Sequence, residues 1–312
     1  GYSTMKQPVS LIALDMDGTL FNGQSEISKE DQDAIREASS RRIHVAISTG
    51  RPYAGLPVTL LSGLGVSYAI TSNGAAVYHL PDRLCIHESA MEPALVCPII
   101  EELQKKSIHM DAFINGDGFS QRSCEGKIDC LDMPTSIKRY IHRTRTFTDD
   151  LAAYIRVHNL NVQKMTLNFY PQEDGTFLYR DEVMQILSEH PEITFLSGGY
   201  HNLEFTRAGV TKGNGLTLLC SHLGVDIEET LACGDTQNDI DIAADDPARP
   251  AFDANRQAEI EAVKPVIERL KETGWTFGSH TWGHIRLDSR PLESVQRDTV
   301  RWAEEVGSLV GP

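Results

Sequence analysis

The chain has 312 residues, 40% hydrophobic and 23% charged, which is ordinary for a globular protein long enough for two or three domains. A formal net charge of −15 with no block of Lys or Arg excludes nucleic acid and anionic membrane as expected partners, because such a surface repels both. No apolar run approaches the roughly 18 residues of a spanning helix, and the N-terminus lacks the layout of a secretory signal. Acidity does not exclude a small phosphorylated substrate, since a bound cation and one lysine invert the field within a pocket. The cysteines (Cys85, Cys97, Cys124, Cys130, Cys220, Cys233) show no CxxC spacing and read as reduced, mostly buried thiols of a cytoplasmic protein.

In chain order, Val9 to Leu14 is a short apolar run that suits a strand buried on both faces and ends in an acidic loop. Ser28 followed by Asp31 predicts a capping box opening a helix to about Ser39. Ile43 to Ile47 is a second strand, Pro52 suits the first turn of a helix, and Tyr68 to Thr71 is a third strand before the turn Asn73-Gly74. Short apolar strands alternating with helices predict an α/β fold with a doubly wound parallel sheet. From about Leu84 to Thr206 the texture changes. Strands at His109 to Ile114, Met165 to Phe169, Ile193 to Phe195 and Asn202 to Thr206 alternate with helices at Ala94 to Lys106 and Arg180 to Ser188. Lys212 to Leu223 is then an amphipathic helix, and Thr230 to Cys233 a buried strand leading into a second acidic loop. The pairs of acids and prolines in Asp245 to Pro250 predict a break, with helices at Asn255 to Lys271 and Pro291 to Val306 and a short strand at Trp275 to Phe277 beyond it.

Three polar clusters follow apolar strands: Asp15 with Asp17, Ser48-Thr49-Gly50-Arg51, and Asp235 with Asn238 and Asp239. In a parallel sheet the strand C-termini share one edge, where open α/β folds bind ligands. Carboxylates there suit a hard cation with oxygen ligands, Lys212 supplies a point charge for a phosphoryl group, and Thr49 and Gly50 offer a hydroxyl and amides. Read singly, Asp17 is also acceptable as a loop residue, Lys212 as a solvated helix lysine, Arg51 as a surface residue and Asn73-Gly74 as a turn. His109, His142 and His158 share no ligand spacing and read as core or surface residues.

Taken together, Leu14-Asp15-Met16-Asp17-Gly18-Thr19-Leu20, Ser48-Thr49-Gly50-Arg51-Pro52, Gly209-Val210-Thr211-Lys212-Gly213 and Gly234-Asp235-Thr236-Gln237-Asn238-Asp239 resemble, in order, the four motifs of the haloacid dehalogenase superfamily of phosphatases. With Ser72-Asn73-Gly74 they resemble its Cof-type branch, over roughly residues 9–244. The resemblance implies a Rossmann-like core with an inserted α/β cap, a Mg2+ cofactor and a small-molecule phosphate ester as substrate. It implies that Asp15 attacks phosphorus to give an aspartyl-phosphate and that Asp17 is the general acid and base. It further implies that Asp15, the Asp17 carbonyl and Asp235 hold the metal with Asp239 in support. Thr49, Asn238 and Lys212 would stabilise the phosphoryl group, with Gly50, Arg51 and Asn73 beside the substrate. An acid at Asp17 favours an alkoxide leaving group, hence phosphate transfer over halide displacement.

The resemblance stops after Asp241, where the strand and closing helix expected of that family give way to the proline-rich break. From about Phe252 the chain is similar to an internal piece of a polysaccharide deacetylase, carried by Trp275-Thr276-Phe277-Gly278-Ser279-His280-Thr281-Trp282-Gly283-His284. His280 and His284 match that family's zinc pair, but a third protein ligand and the family's acidic motif have no counterpart. The expected organisation is therefore residues 1–84 and 207–245 as phosphatase core, 85–206 as the cap that sets specificity, and 246–312 as a deacetylase-like fragment or atypical tail. The expected function is a magnesium-dependent phosphatase of a sugar phosphate or phosphorylated cofactor. The alternatives are a zinc-dependent carbohydrate deacetylase fragment fused to a phosphatase module, and a non-catalytic protein with a disrupted phosphatase fold. Neither the substrate nor the oligomeric state follows from the sequence.

Overall fold

The computed structural model describes residues 9–17, 20–21 and 26–233. Asp235, Asn238, Asp239, His280, His284 and the elements expected from Asp245 onward lie outside the described residues. A six-stranded sheet has the order β12-β1-β2-β3-β4-β5, where β1 is Leu11–Asp15, β2 His44–Ser48, β3 Tyr68–Thr71, β4 Ala76–His79, β5 Leu84–Glu88 and β12 Thr230–Cys233. A second sheet has the order β10-β11-β9-β6-β7-β8, with β6 His109–Ile114, β7 Asp117–Gln121, β8 Arg145–Thr148, β9 Lys164–Asn168, β10 Ile193–Ser197 and β11 Leu203–Arg207. The fold is the expected α/β class, a Rossmann-like sheet with a second α/β sheet inserted in the chain between β5 and the helix at Lys212. Among the described residues the chain divides into two compact units. One contains the residues up to Ser48, Thr59–Tyr68 and those from Leu216; the other contains Thr49–Val58 and Ala69–Gly215.

In the first unit β1 lies between two parallel neighbours, with Leu11 opposite both Thr230 and His44. Val45, Ala46 and Ile47 are consecutive and buried, as expected of a strand covered on both faces. α1 (Lys29–Ser40) starts where Ser28 Oγ accepts the Asp31 amide at 3.1 Å, and buries only Ile35. Pro52 does not open a helix. It precedes a single 3-10 turn at Tyr53–Gly55, and α2 (Val58–Leu64) begins only after Pro57, which holds Leu56 in an extended conformation.

In the second unit β4 and β5 pair antiparallel, as the short turn joining them requires. From β10 through β11, β9 and β6 to β7 each strand is antiparallel to the next, while β7 runs parallel to β8. One face of this sheet (Met110, Ala112, Ile114, Met165, Leu167, Leu203 and Phe205) packs with residues of α3 (Pro93–Gln104), α5 (Leu151–Val157) and α6 (Arg180–Ser188) in one apolar core, to which α4 (Thr135–Thr144) adds none of its residues. The alternate residues His109, Asp111, Phe113, Lys164, Thr166, Asn168 and Glu204 therefore share the opposite face. Most of that face is buried despite being polar.

Candidate active site

Asp15 is the last residue of β1, opposite Ser48, and the Met16 amide donates to the Ser48 carbonyl at 3.2 Å. The chain then closes on itself: the Leu20 amide donates to the Asp15 carbonyl at 3.1 Å and the Phe21 amide to the Met16 carbonyl at 2.9 Å. Met16, Leu20 and Phe21 are buried, so the apolar side chains of the loop anchor it. Asp15 is 9% exposed and Asp17 half-buried. A carboxylate held at the carboxyl end of a parallel strand with this little water is costly unless its site supplies compensating charge. The donors at this strand end, the Asp15 carboxylate and the Asp17 carbonyl, are all oxygens and fit a hard divalent cation. Among the described residues no three His, Cys, Asp or Glu side chains cluster as a metal site. The expected third carboxylate, Asp235, lies outside them.

In the second unit the loop after β2 is laced to the turn after β3. Thr49, 1% exposed, donates its amide to the Ile70 carbonyl at 2.9 Å, and its Oγ1 accepts the Arg51 amide at 3.0 Å. The Asn73 amide donates to the Thr49 carbonyl at 3.2 Å and the Ser72 amide to the Arg51 carbonyl at 3.0 Å. These bonds hold Ser72, Asn73 and Gly74 at φ of 51°, 62° and 101°. Left-handed backbone costs about 1–3 kcal/mol at each non-glycine residue and persists where the surroundings over-determine it. Asn73-Gly74 is thus a turn, as read, and a strained one tied to the Thr49 loop. Arg51 sends one guanidinium nitrogen to the Gly55 carbonyl at 3.3 Å.

Lys212 opens α7 (Lys212–Leu223), whose first turn is capped by Thr211: its Oγ1 accepts the Asn214 amide at 3.0 Å. A Cβ on Gly74 would overlap the Thr211 carbonyl, and a Cβ on Gly215 would lie 3.2 Å from the Gly74 Cα. Two facing glycines therefore let the start of α7 close onto the strained turn. A lysine at a helix N-terminus opposes the helix dipole.

Two residues that the sequence reading passed over complete this half. Lys164, in β9, is buried, and its ammonium donates to the Gly50 carbonyl at 2.6 Å and pairs with Glu204 Oε1 at 3.2 Å. The other oxygen of Glu204 accepts from Asn73 Nδ2 at 2.9 Å. Burial pushes the Lys164 ammonium below the usual lysine range; Glu204 opposes the shift, while Lys212 and Arg145 add to it. Nearby, Arg145 Nε donates to Asp111 Oδ2 at 2.9 Å, and its guanidinium stacks over Phe113 and Tyr140. Burial raises the Asp111 carboxyl, but Arg145, His109 and the Ser120 hydroxyl outweigh it and leave it below the carboxylate range. The signal for Lys164 was present in the sequence. Lys164, Met165, Thr166, Leu167 and Asn168 alternate, but a strand begun at Met165 leaves the lysine out.

The structure thus joins Thr49, Gly50, the Arg51 backbone and Asn73 in one bonded cluster, with the start of α7 against its turn. Asp15 ends β1 in the other unit, and Asp17 lies two residues beyond it. His109 is fully buried, while His142 and His158 are exposed. No helix among the described residues is long and apolar enough to cross a membrane.

Residues 12–242 match the family model of haloacid dehalogenase-like hydrolases. The chain is 26% identical over 250 residues to Phosphatase YwpJ of Bacillus subtilis, covering 74% of this chain and 85% of that protein. It is 28% identical over 236 residues to the 5-amino-6-(5-phospho-D-ribitylamino)uracil phosphatase YcsE of the same organism, covering 74% and 79%. A solved structure of a haloacid dehalogenase-like hydrolase from Bacillus subtilis superposes with a TM-score of 0.60 over 72% of this chain and 83% of that one, at 21% identity, a likeness of fold.

Proposed function

The chain belongs to the haloacid dehalogenase-like hydrolases, and from that premise we propose that it is a phosphatase of small phosphorylated metabolites working through an aspartyl-phosphate on Asp15. Asp15 carries the reading, as a buried carboxylate at the carboxyl end of a strand flanked by two parallel neighbours. The relatives named for phosphatase activity support it, one of them for a phosphorylated ribitylamino-uracil. A sugar phosphate or a phosphorylated cofactor is the substrate class we assign. Residues 1–84 and 207–245 form the catalytic core in this reading, and 85–206 the cap that selects the substrate.

In the first step a carboxylate oxygen of Asp15 attacks phosphorus while the bond to the ester oxygen breaks, and Asp17 gives that oxygen its proton. In the second, Asp17 takes a proton from water, whose oxygen attacks the same phosphorus and releases inorganic phosphate and the Asp15 carboxylate. The Thr49 hydroxyl has its acceptor side occupied by the Arg51 amide, which leaves its proton to donate to a phosphoryl oxygen. Lys212 contributes positive charge and Asn238 a further donor, while Gly50, Arg51 and Asn73 shape the edge of the phosphate loop. Asp15, the Asp17 carbonyl and Asp235 would hold Mg2+, with Asp239 in support. The ion would neutralise charge on the phosphoryl oxygens.

The test is phosphate release from a panel of metabolite esters with magnesium. Release that disappears with a chelator and in Asp15→Asn, at unchanged melting temperature, is the expected result. Absence of release from every ester, or an active Asp15→Asn, overturns the proposal.

A further inference from the structure

The Gly50–Arg51 peptide plane is gripped at both ends. Its carbonyl accepts from the Lys164 ammonium at 2.6 Å, and its N–H donates to Thr49 Oγ1 at 3.0 Å. A peptide is planar, so fixing the carbonyl fixes the N–H, and fixing the N–H sets which way the Thr49 hydroxyl turns. Glu204 extends the grip: one oxygen pairs with Lys164 at 3.2 Å and the other holds Asn73 Nδ2 at 2.9 Å. β9 and β11 are neighbouring strands, so both charges stand on one rigid platform. The space is shaped for this contact, since a Cβ on Gly50 would stand 2.9 Å from Asn73 Oδ1 and 3.5 Å from the Lys164 ammonium.

Fold stability does not explain the pair. The Lys164 side chain is 2% exposed and that of Glu204 15%, and a buried ion pair is often no more stabilising than apolar residues of the same volume. We propose that Lys164 and Glu204 are positioning residues, which orient the Thr49 hydroxyl and Asn73 toward the phosphoryl group by clamping the Gly50–Arg51 peptide and the Asn73 side chain. The inference rests on the reading of Thr49 and Asn73 given above and adds to it. Neither charge touches the substrate. Without Lys164 the Gly50 carbonyl loses its partner, and the peptide is free to rotate and take its N–H away from Thr49.

The experiment compares Lys164→Met, Glu204→Leu and the double variant. It measures melting temperature, kcat and KM for p-nitrophenyl phosphate with magnesium, and amide exchange by mass spectrometry. Lys164→Met is expected to lose about 10²-fold in kcat, the scale of a misplaced catalytic donor, with KM within about threefold. Exchange in peptides spanning residues 49–55 and 70–76 rises, while that of Val96–Leu103 in α3 stays as in wild type. The double variant recovers the melting temperature but not kcat. Recovery of both together, or loops whose exchange Lys164→Met leaves unchanged, overturns the inference. Exchange is read without turnover, so an inactive wild-type protein would remove the phosphatase reading while the clamp is still judged on its own evidence.

Discussion

Replacing Gly74 with alanine probes the contact that brings Lys212 to the strained turn. Gly74 has φ of 101° and its missing Cβ faces the Thr211 carbonyl and, at 3.1 Å, the Lys212 amide. A side chain at positive φ costs about 1–2 kcal/mol. Pushing packed backbone aside costs about 1–3 kcal/mol more, and the stiffer unfolded chain returns about 0.4–1 kcal/mol. The net loss is about 2–4 kcal/mol, which at about 2–4 °C per kcal/mol lowers the melting temperature by roughly 5–15 °C. The backbone that must yield carries Lys212, so a displacement near 1 Å is expected to reduce kcat by about 10²-fold. Gly215→Ala should do less, because its Cβ meets the movable Ile70 Cγ2 at 2.6 Å before the Gly74 Cα at 3.2 Å. Gly213→Ala is the stability control: its nearest neighbour is 3.8 Å away, and helix propensity favours alanine by up to about 1 kcal/mol. Thermal melts and steady-state kinetics on the three variants decide the matter. If Gly74→Ala melts and turns over like wild type, the close approach of Thr211 to Gly74 is refuted.

Two further outcomes come from the buried polar face of the second sheet. Arg145→Met strands the Asp111 carboxylate, whose side chain is 1% exposed, and should cost about 3–5 kcal/mol in urea unfolding, most of it recovered by adding Asp111→Leu. Equal destabilisation in single and double variants would show that packing, not charge, is lost. His109 is held below the ordinary histidine range, first by burial, with Arg145 and His142 adding to the shift and Asp111 opposing it. The folded protein therefore refuses a proton that the unfolded chain accepts below about pH 6.5, so stability falls as pH drops through that value. His109→Gln should flatten the slope between about pH 6.5 and pH 5 while leaving the loss from Asp111, which begins only below its ordinary pKa near 3.9. An unchanged slope in that variant would reject the assignment.

The elements that announce themselves by pattern were legible. Tyr68–Thr71, His109–Ile114, Arg180–Ser188, Lys212–Leu223 and Thr230–Cys233 have the bounds read from the sequence. β5 was not legible, because Leu84–Glu88 is mostly exposed and shows no buried alternation. β7 and β8 were missed for a related reason: Asp117–Gln121 and Arg145–Thr148 are short and polar, and pairing rather than composition makes them strands. Within the site, the motif residues Asp15, Asp17, Thr49, Gly50, Asn73 and Lys212 stood out because each sits in a short local pattern. Lys164 and Glu204 do not. Their meaning comes from contacts 114 and 131 positions away, to Gly50 and Asn73, which no local pattern encodes.

That difference bears on what the second unit is arranged to do. Three features oppose local preference there: left-handed backbone at Ser72 and Asn73, a lysine at the positive end of α7, and an ammonium buried in β9. They also oppose one another, since Lys212 pushes the Lys164 ammonium toward its neutral form. Glu204 pairs with Lys164 through one oxygen, and its second oxygen is committed to Asn73. A doubly negative phosphoryl group near Lys212 would be attracted by both ammonium groups. In the proposed reaction the strained turn and the two lysines are then one arrangement, set up by the fold before the substrate arrives. The same logic predicts that phosphate or vanadate raises the melting temperature of the wild-type protein more than that of Lys212→Met. Equal shifts in the two proteins would sever Lys212 from the phosphoryl site.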